Sequence, residues 1–153
     1  MHDVSQFPDL SDRTLLAVSL AFFATAGVAN TSLTASVQSV VAVTFVVGGI
    51  YGLARYARVV SRRTLATLSM ALWVTFLAVT PVHVIGLEPV AAAVPVATSA
   101  SVVALTGLTW ATLLGAFGTT AFLGFREYGA QAGSDAPEEH VLEGDYDVPS
   151  RTR

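Results

Sequence analysis

The sequence predicts an all-α integral membrane protein, a four-helix bundle with both termini on the cytoplasmic side. Three observations carry that prediction. First, 12% of the 153 residues are charged and 53% are hydrophobic, against roughly 25% charged in an ordinary soluble domain. Second, the charges are segregated: residues 14–125 hold five charged side chains, Arg55, Arg58, Arg62, Arg63 and Glu88, and the other fourteen lie in the two ends. Third, the apolar stretch divides into runs of the ~20 residues that a helix needs to cross a hydrocarbon core of about 30 Å.

Taken in order, a short N-terminal segment, residues 1–13, precedes the first span at about 14–33, for which Ser11 and Asp12 are plausible caps and the polar NTSLTAS stretch from Asn30 is the stop. This run is not expected to be a cleaved leader, because residues 1–13 carry three aspartates and one arginine instead of a basic n-region. The second span, about 37–57, closes on RYARVVSRR, with four arginines within nine residues. The third occupies about 64–87, with Pro81 near its far end. Residues 90–125 then form 36 uncharged positions, or about 54 Å of helix, which is too long for one span of ordinary tilt and too short for two crossings and a turn. Pro95 and the ATSAS run at 97–101 are the natural break. A short outer segment is therefore expected near 90–99, and the last helix at about 101–128.

Arginine placement sets the orientation, since positive charge near span ends is retained in the cytoplasm. The topology arginines Arg55, Arg58, Arg62 and Arg63 fall on the same side as Arg13 and Arg126, and the two connections on the other side carry no basic residue. Tyr51, Tyr56, Phe125 and Tyr128 are expected to form part of an aromatic belt at that interface. Residues 129–153 read as a disordered acidic tail: from residue 126 onward, seven acids stand against Arg126, Arg151 and Arg153. Within it, Val141, Leu142, Tyr146 and Val148 are spaced among the acids so that the tail could dock on a partner.

Composition removes several function classes. The chain contains no cysteine and no lysine, so thiol redox work, thiolate metal sites and Schiff-base cofactors are excluded. A bis-histidine haem needs two intramembrane histidines, and His83 is the one histidine outside the ends. No cofactor, metal or nucleic-acid partner is expected, and no nucleophile-base pair suggests an enzyme. Arginine without lysine, an Ala/Val/Thr-rich apolar phase and acidic ends resemble the composition of small membrane proteins from extremely halophilic archaea. That resemblance implies an environment and no activity.

The polar residues that remain are candidates for a membrane site: His83 and Glu88 toward the outer face, and Arg55 one turn inside the cytoplasmic end of the second span. The string GGIYGLARY from Gly48 resembles the glycine-rich, arginine-containing signature of the small four-span fluoride channels, and GTTAFLGF from Gly118 is similar to their threonine-phenylalanine track. It departs from them in the arginine spacing, in lying on the second span, and in lacking an asparagine at a span centre. A more regular signal is small-residue spacing, through which helices pack closely in lipid. Gly48 and Gly52 form a GxxxG, and Gly107, Ala111 and Gly115 recur at intervals of four. These features lead to the expectation of an accessory or assembly subunit of a larger membrane complex, respiratory complexes included, with a small oligomeric channel or transporter as the alternative. The expected partners are the bilayer and other membrane subunits, or further copies of the chain.

Overall fold

The computed structural model describes residues 11–30, 37–86, 89–90, 93 and 97–134. Half of the expected outer segment, Glu88 and the acidic tail beyond Ser134 lie outside the described residues. The described chain is all-helical: α1 (Asp12–Ala29), α2 (Val37–Val59), α3 (Arg62–Ile85) and α4 (Thr98–Ser134). All four are long and apolar enough to cross a membrane, which is compatible with a multi-pass membrane protein.

Local chemistry accounts for where the helices begin and end. Ser11 stands at the N-cap of α1, but its backbone carbonyl, not its hydroxyl, receives the N–H groups of Thr14 and Leu15 at 2.8 and 3.0 Å. The helix stops at Ala29, where the polar run begins and short of the expected bound at 33, with the Asn30 N–H closing on the carbonyl of Ala26. α3 starts at Arg62, two residues before the predicted position, because Ser61 caps it: the Ser61 hydroxyl accepts from the Thr64 N–H at 3.1 Å. It continues through Pro81 to Ile85 and ends on Gly86, whose φ of 104° is natural to glycine. α4 runs for 37 residues, about 55 Å, and so exceeds a hydrocarbon core. It passes the expected end at 128 through Ala130, Gln131 and Ala132, a run of good helix formers.

The helices do not form a symmetric square. α1 packs along both α2 and α4, and α2 also touches α4, whereas α3 rests on α4. α2 and α3, joined by Val60 and Ser61, meet at that corner and share no comparable interface beyond it. Phe23, Leu53, Tyr56, Ala57, Leu65 and Ala111 make the buried core. Tyr56 therefore corrects the expected aromatic belt: it is 6% exposed and packs inward, while Tyr51, Phe125 and Tyr128 face outward. Its neighbours at the α2–α3 corner, and not its residue type, decide its place.

The small residues sit where helices approach most closely. Gly48 faces the ring of Phe22, Gly49 that of Phe23, and Gly52 the hydroxyl of Ser19, which fixes the α1–α2 register. Gly107 lies against Ala24, and Gly115 lies against Leu20 of α1 and Leu72 of α3. Ala111 is buried, and a Cβ on Gly27 would fall inside the indole of Trp110. In lipid, where apolar burial between helices adds little drive, such contacts carry much of the association through dispersion.

Candidate functional site

Of the polar candidates, His83 and Arg55 do not meet. His83 lies twenty residues along α3 from Arg63, about 30 Å by helix rise, and Arg55 stands near the arginine-rich end of α2. Both side chains are exposed, and Glu88 lies outside the described residues. His83 instead pairs across to α4, its Nε2 lying 2.8 Å from Oγ1 of Thr109.

That pair is one rung of a polar seam between α3 and α4. Three turns further along α4, Thr120 Oγ1 is 2.8 Å from Ser69 Oγ, and it accepts from the Trp73 indole N–H at 3.0 Å. Thr109 and Thr120 also donate to their own helix, to the carbonyls of Leu105 and Ala116, so each hydroxyl bridges its backbone and the neighbouring helix. Several other hydroxyls in the spans are used locally. Thr25, Thr44, Thr67, Thr75, Thr80, Thr112 and Thr119 return theirs to carbonyls one turn back. Among the described residues no buried side-chain nitrogen or oxygen lacks a hydrogen-bond partner, as a low-dielectric surrounding demands.

The other concentration of polarity is the arginine-rich end. Nη1 of Arg126 donates to the carbonyls of Ala57 and Val60, at 3.1 and 3.0 Å. Those carbonyls belong to the last turn of α2 and its exit, where unpaired acceptors and the negative end of the helix dipole favour a guanidinium. Arg62 forms an ion pair with Glu127, joining the start of α3 to α4. This carboxylate also offsets two arginines at a helix N-terminus, where cations are disfavoured. Two grooves open beside these groups. One, of about 420 Å³, lies between α2 and α4 and is lined by Arg58 and Arg126 together with Phe122 and Phe125. The other, of about 500 Å³, runs from Tyr56 along Arg63, Thr67 and Ala71.

Sequence reasoning placed Arg126 only as a topology marker and did not single out Trp73. Nothing in the spacing signals either role, since each depends on which helix lies opposite. The fluoride-channel resemblance finds its residues engaged in packing: Gly48, Gly49 and Gly52 meet α1, and Thr119 and Thr120 bond within α4. No family model matches the chain, and no curated protein or solved structure is significantly similar to it.

Proposed function

We propose that the chain is a non-catalytic membrane subunit that joins a larger membrane assembly through the outward face of α3. The observation that supports this most directly is a contrast between two exposed faces. α2 turns Val40, Val43, Val47 and Ile50 outward, a bulky branched surface suited to lipid chains. α3 turns outward a row in which Thr67, Ala71, Thr75 and Ala78 recur between Met70, Val74 and Leu77. Small residues at three- and four-residue spacing let a second helix approach closely, and lipid gains nothing from them. The hydroxyls of Thr67 and Thr75 are already bonded to the carbonyls of Arg63 and Ala71, so the face is dry.

In this reading the arginine-rich end lies in the cytoplasm, as the arginine distribution favours, and the acidic tail stands on the same side. The chain's lack of cysteine permits a clean test. Single cysteines at Ala71 and Ala78, crosslinked in native membranes, should join the chain to a different polypeptide, while cysteines at Val43 and Val47 should not. Adducts of twice the chain mass would favour a homo-oligomeric channel or transporter instead. Equal labelling of both faces without adducts would overturn the docking reading.

A further inference from the structure

We infer that the groove between α2 and α4 at the arginine-rich end binds the phosphate-bearing headgroup of an anionic phospholipid. Six residues line it: Ala54, Ala57 and Arg58 from α2, and Phe122, Phe125 and Arg126 from α4. Its volume of about 420 Å³ suits a headgroup with its glycerol, within the usual range of small-ligand sites.

The two arginines differ in how they are held. Arg126 is fixed in place, because both hydrogens of its Nη1 are directed to the carbonyls of Ala57 and Val60. A guanidinium carries five donors, so Nε and Nη2 remain to present a planar edge to a phosphate. Arg58 supplies the second cation from an exposed position on the facing helix. Among the described residues two carboxylates stand at the same end of the molecule, Glu127 and Asp12. Glu127 is engaged by Arg62, and neither lines the groove, which therefore keeps its positive character.

The apolar walls argue for a lipid over a free anion. Phe122 and Phe125 are one turn apart on α4, and Ala54 and Ala57 opposite them leave the space open. A phosphate seated on the guanidinium groups would place its glycerol and first acyl carbons against these rings. The groove also lies where the apolar span gives way to charge, which is headgroup depth. The α2–α3 groove has a single arginine, Arg63, among its lining residues and lacks this pairing.

The test uses the full chain in a neutral detergent, with lipid adducts counted by native mass spectrometry. The probes are dioleoylphosphatidylglycerol, dioleoylphosphatidylcholine and inorganic phosphate. Phosphatidylglycerol should be retained in clear preference to phosphatidylcholine. Arg58→Gln should weaken that retention about fivefold, the effect of one arginine near a membrane surface. Ala54→Phe, which fills the groove without removing charge, should weaken it at least as much. Arg126→Gln is less diagnostic, because it also frees the end of α2. Equal retention of the two lipids would overturn the inference, as would unchanged phosphatidylglycerol binding in either Arg58→Gln or Ala54→Phe. Displacement of the lipid by millimolar phosphate would overturn the lipid assignment and leave a free-anion site.

Discussion

The two sides of α4 are held by different forces. Toward α1 and α2 the contact within the spans is steric: glycines admit aromatic and branched side chains, as Gly27 admits Trp110 and Gly118 admits Leu53, and at the arginine-rich end Arg126 adds hydrogen bonds to the exit of α2. Toward α3 the specific links are hydrogen bonds, from Ser69 and Trp73 to Thr120 and between His83 and Thr109. The difference teaches where this molecule is rigid. Close packing of many atoms tolerates no added volume, whereas a few hydrogen bonds hold register at modest net energy, because a helix released into lipid finds other partners for its polar groups. α1, α2 and α4 each pack on the other two, whereas α3, although it lies along α4 as extensively as α1 does, has α4 as its one broad partner among the described residues.

The sharpest way to break the comparison is to add one methyl group on the steric side. Gly27→Ala would put a Cβ within the space of the Trp110 indole, and Trp110 cannot withdraw without disturbing the α1–α4 contact. A destabilisation of about 3 kcal/mol is expected, measured as a loss of folded protein on thermal or denaturant titration in detergent. A wild-type midpoint would show that the indole has room to move and that the packed unit is softer than argued.

The hydrogen-bonded side should respond less. Thr120→Val keeps the shape but removes the acceptor shared by Ser69 and Trp73, with an expected cost of about 1 to 1.5 kcal/mol. A double-mutant cycle with Trp73→Phe should show the two changes to be non-additive, since both delete the same bond. Full additivity would mean that the indole and the threonine do not interact. Smaller again is Thr109→Val, which removes the partner of His83 near the open end of α3. About 0.6 kcal/mol is expected there, and its clearer readout is faster hydrogen exchange of the last turn of α3 with that of α1 unchanged.

How much of this was legible beforehand follows from the kind of information each feature needs. Charge segregation and run length suffice for an all-helical chain with four helices fit to span a membrane, because each property belongs to one segment alone. Neighbour relations are different. These helices are apolar on all faces, so no stripe in the sequence points to the partner. The GxxxG spacing draws the eye to Gly48 and Gly52, yet Gly49 makes the closer approach to an aromatic ring, with a Cβ position 2.5 Å from Phe23 against 3.1 Å for Gly48 from Phe22. Tyr56 reads as an interfacial aromatic and is buried in one cluster with Leu53, Ala57 and Leu65, residues that the chain brings together only by turning from α2 into α3. Arg126 reads as a topology charge and is also the cap of another helix, 66 residues away from Val60 in sequence. Of the candidate polar site, the sequence supplied the residues but not the distances. That His83 and Arg55 stand at opposite ends of the spans follows from their positions along the second and third runs, whereas the pairing of His83 with Thr109 needs the fold.

The smallest expected effect isolates what makes a glycine matter here. Gly124 is on the same helix as Gly118 and Gly115, and sequence alone does not distinguish it from them. Yet a Cβ built on it meets no atom within 4 Å. Gly124→Ala therefore removes backbone freedom without creating a clash, and it should be neutral or stabilising by up to about 1 kcal/mol, the ordinary helix-propensity difference. The pairing with Gly27→Ala is a controlled one: the same methyl group is added to helical glycine in both cases, and only the opposing surface differs. A destabilised Gly124→Ala variant would require a second chain lying against that face of α4. It would then move the contact with a partner from α3 to the helix that this structure leaves open at its far end.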